Sequence, residues 1–174
     1  GTYRITQNAF KAHAACFHAH PSIDAALAIR SRHALRGEQV KRASARITGA
    51  AMDVLAKVEA KTPWAAKFNL PFCIATALAY GSVGLESFTE ERLSDPVLQT
   101  LMGKVQMAHD PALDAEYPDK WPAVLEVETM GGLLTHLVGV VPASGETAVF
   151  RGVKLTAQVV TERRVRELLV EQVK

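Results

Sequence analysis

Lys11, His13, Cys16, His18 and His20 bring one ammonium, three imidazoles and a thiol into a stretch of ten residues that ends at His20-Pro21. Proline suits the first turn of a helix, because its missing N–H would be unpaired there anyway. The stretch therefore reads as the approach to a helix N-terminus. If it is extended, side chains alternate with period two, so Lys11 and His13 share one side and His18 and His20 also share a side. The helix start adds unpaired N–H groups and the positive end of the dipole. Together these groups suit a carboxylate-bearing ligand: cations and amides to hold it, and an imidazole to move a proton near neutral pH. Other readings stand beside this one. His20 serves as a helix cap and His18 as a surface residue, or the two form a metal pair without an obvious third ligand. Cys16, in an apolar stretch, reads as a small core residue.

Other chemistries find no support. There is no phosphate-cradling glycine loop, no GxSxG elbow and no HExxH. Asp110, Asp114 and Asp119 lie in an acidic loop without the spacing or glycine of a calcium-binding loop. Aromatics are scarce and not interleaved with basic residues, which excludes a nucleic-acid platform. The two cysteines, Cys16 and Cys73, lack CxxC spacing. That argues against a disulfide scaffold or a zinc site and fits a reducing cytoplasm. The longest apolar run, Leu70 to Tyr80, falls short of the roughly 18 residues that span a bilayer and is broken by Pro71 and Thr76, so no membrane partner is expected. Charge is uneven along the chain. Residues 1–80 carry eleven Lys/Arg against four Asp/Glu, and residues 81–174 carry nine against fourteen. A basic half attracts anions; two solvated faces are the plainer reading.

The elements that must position this chemistry follow from periodicity. Residues 9–17 are small and apolar, without helical period, and predict a buried strand or extended segment. From Pro21, the stripe Ile23, Ala26, Leu27, Ala34 and Leu35 predicts a helix stopped by Gly37. Residues 40–48 alternate Ala43, Ala45 and Ile47 against Arg42, Ser44 and Arg46, a strand with a basic outer face. Residues 50–60 lean towards helix. A further helix, apolar nearly all round, begins at Pro71 and ends at Gly81, which implies a central position. Thr89–Leu93 is a short helix, and Asp95-Pro96 caps and opens another. A strand follows near Val105–Ala108. Val124–Met130 and Leu133–Val141 form a hairpin around Gly131-Gly132. In the tail from Thr161 to Lys174, Val165, Leu168, Leu169 and Gln172/Val173 fall at helical spacing. The expected class is α+β: a mostly antiparallel sheet with helices packed on one face.

Several segments resemble the MmgE/PrpD family. Phe10–Ala25, FKAHAACFHAHPSIDA, is similar to that family's K-P-Y-x-C-C-x-x-T-H-P-x-I-D-A. Ala66–Ala75, AKFNLPFCIA, is similar to A-K-F-S-L-P-Y-x-x-A. Val83–Leu93, Asp95-Pro96-Val97 and the pair DPALDAEYP and KWPAVLEVE follow in the family's order across residues 10–141. The resemblance implies the C-terminal, lid-type domain of an enzyme acting on small polycarboxylates without metal or organic cofactor. Relatives dehydrate 2-methylcitrate, decarboxylate cis-aconitate or epimerise iminodisuccinate. It further implies catalytic roles for Lys11, His18 and His20, and substrate contacts from Lys11, His13, Cys16, Lys67 and Phe72. Lys11 would bind carboxylate and stabilise charge. The implied partners are a small polycarboxylate and an N-terminal helical domain that completes the active site; a homodimer would form largely through that other domain.

The departures from the pattern are as informative. His13 stands where relatives carry an aromatic residue, Ala19 where they carry threonine, and Phe72 lacks a tyrosine hydroxyl. Residues 142–174 read as a divergent tail. The opening Gly1 and the absence of a leader pattern lead us to expect a single domain, residues 1–174, taken from a longer protein and inactive alone. The alternative expectation is a free-standing module that binds carboxylates or a protein partner without catalysis.

Overall fold

At the centre of the sheet runs β1 (Val40–Ile47), whose Val40, Ala43, Ala45 and Ile47 are buried while Lys41 and Arg42 face solvent. The computed structural model describes residues 11–138, 147–150, 153–161 and 164–172. It divides after Val138 into two units.

In the first unit, β2 (Val105–His109) pairs parallel with β1, with Ala43 opposite Val105. On the other side of β1, β3 (Ala123–Thr129) runs antiparallel, placing Ala45 opposite Leu125. β4 (Gly132–Val138) then pairs antiparallel with β3, so the strand order is β2-β1-β3-β4. The sheet is mixed but mostly antiparallel, and the class is α+β, as the sequence implies. A parallel pair needs a long crossover. Here it contains α2 (Gly49–Leu55), α3 (Pro63–Ala66), α4 (Leu70–Tyr80), α5 (Glu90–Leu93) and α6 (Pro96–Met102).

α1 (His20–His33) packs on β3 and β4, and α4 packs on α1, α6 and β2. Ile23, Ile29, Phe72, Ile74, Leu78, Leu125 and Val127, all fully buried, fill the space between them. The opposite face of the sheet is polar. There Lys41 and Arg42 meet Glu128, and Arg46 meets Asp110 and Glu126. α7 (Pro111–Asp114) follows β2.

Four local expectations are corrected. Residues 11–16 form bends rather than a strand, because their backbone N–H groups reach separate loops: Ala14 donates to Val83 O (3.2 Å) and Cys16 to Lys67 O (2.8 Å). Residues 9 and 10 lie outside the described residues. α1 stops at Ala34, in the left-handed region (φ 47°), and not at Gly37. The turn lets Leu35 donate to Arg30 O and bury its side chain. Gly37 is instead a packing residue, since a Cβ there would sit 2.9 Å from Leu101 Cδ1. The β3–β4 turn is Met130-Gly131, one residue earlier than expected, because Gly132 (φ 140°) pairs with Thr129. The end of that predicted strand, residues 139–141, lies outside the described residues.

The fourth correction concerns the tail, which is strand and not helix. The second unit is an antiparallel meander of β5 (Thr147–Phe150), β6 (Val153–Thr161) and β7 (Arg164–Gln172). β7 places Val165 opposite Val160, Leu168 opposite Ala157 and Leu169 opposite Thr156, past register shifts between Ala157 and Val160. A ready partner strand rich in valine and threonine overrides a helical spacing that rested on four positions. Val173 lies outside the described residues. Among the described residues no helix is long and apolar enough to cross a membrane.

A cationic cleft beside the first helix

The 11–16 loop forms one wall of an open cleft of about 500 Å³. Trp64, Lys67 and Phe68 supply the facing wall, with Gly84 and Leu85 at the rim. The two backbone bonds from Ala14 and Cys16 hold the loop against these segments. Thr62 fixes the start of α3, its hydroxyl accepting from Ala65 N–H (3.2 Å). The following turn brings Lys67 to the cleft, where its Nζ lies 5.7 Å from the ring centres of both Trp64 and Phe88. Such contacts favour a cation over an aromatic face.

Lys11, His13, Cys16 and Lys67, four of the residues singled out in the sequence, meet at this cleft. Lys11 Nζ donates to Ala15 O (3.2 Å), an exposed ammonium anchored at the loop. His13 pairs through Nε2 with Asp24 Oδ1 at 2.8 Å. Cys16 is half-buried, whereas the Cys73 thiol is enclosed in the core. Burial, followed by the nearby Cys16, pushes Cys73 far up, so it stays protonated.

The other three candidates sit elsewhere. Phe72 is fully buried and does not line the cleft; its ring lies 5.7 Å from Phe88, which in turn underlies Lys67. His18 and His20 do not share a side. A 3-10 turn at Phe17–Ala19 interrupts the extended backbone that this expectation required. His18 packs against Trp121 (4.5 Å) and Tyr117 (6.1 Å). His20 lies behind His13, ring edge to face at 5.0 Å, and stacks on Phe17 at 4.8 Å. The turn also occupies two N–H groups at the helix start: Ala19 donates to Cys16 O and His20 to Phe17 O. The cations that line the cleft are the side chains of Lys11 and Lys67.

His20 is 7% exposed, and its Nε2 is buried with no hydrogen-bond partner. Burial chiefly, with the neighbouring His13 and Lys11, holds its pKa below the usual imidazole value; Asp24 and the Ala15 carbonyl oppose this. Burial alone lowers His18. Both rings are thus neutral near pH 7. No group of three or more His, Cys, Asp or Glu among the described residues is placed to hold a metal ion.

Sequence reasoning passed over Asp24, Trp64, Leu85 and Phe88 as site residues. Asp24 carried a usable signal: it stands four residues after His20, on the same helix face. Nothing local marks the others.

A small α+β domain with a two-lysine cleft next to its first helix is the class that fold and site define. A family description, the MmgE/PrpD C-terminal domain, matches residues 13–146, and the chain belongs to that family. Lys11 stands just before the matched segment. No match is found among curated proteins.

Proposed function

We propose that this domain supplies the carboxylate-binding wall of a cofactor-independent lyase or isomerase for citrate-like polycarboxylates, in the manner of a 2-methylcitrate dehydratase. The observation that carries the reading is the convergence of Lys11, Lys67 and His13 on one cleft of about 500 Å³, ample for a six-carbon acid. Two ammonium groups bind two carboxylates. When a proton leaves the carbon α to one of them, the negative charge developing on its oxygens is stabilised by a cation already in place. Nothing need reorganise at that moment.

A helical domain completes the site on this reading. Trp64 in the facing wall and Leu85 at the rim are 71% and 74% exposed. Two large, exposed apolar side chains bordering the cleft suit a surface that another domain covers. His20 and His18 then act from behind the wall, holding Phe17, His13 and Trp121 in place.

Calorimetric titration with citrate and cis-aconitate tests the reading. Wild-type chain should bind, and Lys11→Ala or Lys67→Met should each weaken binding about tenfold, the loss expected for one charge-assisted contact. Absence of binding by the wild type, or equal binding by both variants, overturns it.

A further inference from the structure

We infer that Asp24 is a positioning residue that fixes His13 as the proton acceptor of the cleft; this rests on the proposed function for the acid but not for the geometry. The Asp24 carboxylate can only accept hydrogen bonds when ionised. At 2.8 Å from His13 Nε2, it therefore requires the proton on that nitrogen. In the neutral ring Nδ1 is left bare, as the lone pair available to a ligand. His13 itself lines the cleft.

The ring is bracketed from one helix. His20 and Asp24 stand one turn apart at the start of α1, and so lie on the same face. His20 meets the His13 ring at 5.0 Å with a 65° interplanar angle, while Asp24 takes its Nε2. The His13 side chain is 10% exposed, against 53% for Asp24. The imidazole is thus held, and its partner stays accessible to solvent. A base fixed by an orienting carboxylate is the general arrangement for activating a proton acceptor.

In the reaction, His13 Nδ1 takes the proton from the carbon α to a substrate carboxylate. The C–H bond breaks, an N–H bond forms, and the freed electron pair enters the adjoining carboxylate as an enolate. The pair then expels a β-leaving group or is reprotonated. The imidazolium so formed faces the Asp24 carboxylate, which stabilises it. The acceptor role thereby falls on His13 rather than on His18 or His20.

Long-range proton–nitrogen NMR of the histidine-labelled chain, well above the imidazole titration range, tests the couple. His13 should show a protonated Nε2 whose proton exchanges slowly with water, and an unprotonated Nδ1; His13→Gln identifies the signals. Asp24→Ala, a helix-compatible change, should lose the slow-exchanging ring proton. Asp24→Asn should keep it through its amide oxygen. A protonated Nδ1 in the wild type, or an unchanged ring proton in Asp24→Ala, overturns the inference. Citrate added to the wild type should move the Nδ1 resonance. If the couple forms and citrate binds by calorimetry yet leaves that resonance untouched, the acceptor role falls and the carboxylate reading stands; a missing couple with citrate bound overturns the couple alone, and absence of citrate binding overturns the carboxylate reading.

Discussion

At the scale of single residues, His20 shows how burial sets the acid response of the site. Its ring is enclosed, near His13 and Lys11, with Asp24 opposing them, and the net effect lowers its pKa from the usual 6.5. As pH falls, the unfolded chain takes up this proton before the folded chain does. Folding stability is therefore complete above 6.5 and is lost as pH drops through 6.5 towards the folded value. His18 contributes with the same sign, from burial alone. The urea midpoint should fall between about pH 7.5 and about pH 5.5, and His20→Gln should flatten that dependence. A variant as acid-sensitive as the wild type would show that the slope arises elsewhere.

At the scale of elements, α4 is the rod on which the cleft depends, since Phe72 supports Phe88 beneath Lys67. Both its ends are specified. Asn69 Oδ1 accepts from Phe72 N–H (2.8 Å), and Asn69 Nδ2 donates to Val58 O (2.7 Å). At the other end Gly81 (φ 75°) reverses the chain and Arg30 Nη1 donates to Leu78 O. A Cβ at Gly81 is strained by its backbone and would lie 2.9 Å from Arg30 Nε. Gly81→Ala should cost about 1–3 kcal/mol in urea unfolding. Gly103 is the control: it is right-handed (φ −63°), and its nearest Cβ neighbour would be 3.6 Å away. Gly103→Ala should be neutral or stabilising by about 0.5 kcal/mol. Equal effects at the two sites would refute the conformational argument.

At the scale of the whole molecule, cations from the first half of the sequence meet carboxylates from the second on the outer face of the first unit's sheet. The basic outer face of β1 sits beside the acidic outer face of β3: Lys41 Nζ is 2.8 Å from Glu128, and Arg46 Nη1 is 2.7 Å from Asp110. Lys41 and the weaker Arg42 contact hold the Glu128 carboxyl below its usual value. The cations of β1 are thus paired with carboxylates, whereas Lys11 and Lys67 line the cleft. Glu128→Lys would set three cations side by side on adjacent strands and should lower the urea midpoint. Added salt should restore part of the loss, because exposed charges are screened; a salt-independent loss would point to packing instead.

The sequence alone determined whatever depends on near neighbours. The alternation of β1 and β3, the apolar α4 ending at Gly81, the Asp95 cap and the Lys11-to-His20 cluster were all legible, because capping, periodicity and glycine geometry act within a few residues. Only the tertiary structure decided the rest. Parallel pairing of β2 with β1, the meander at 147–172 and the stop of α1 at Ala34 each depend on a distant partner or on what becomes buried. The site divided in the same way. The identity of Lys11 and His13 could be read directly, but Lys67 and Trp64 reached the cleft beside a backbone bond between residues 16 and 67, and Leu85 beside one between residues 14 and 83. The same folding turned His18 and His20 apart, because a 3-10 turn replaced the extended backbone on which their shared side depended.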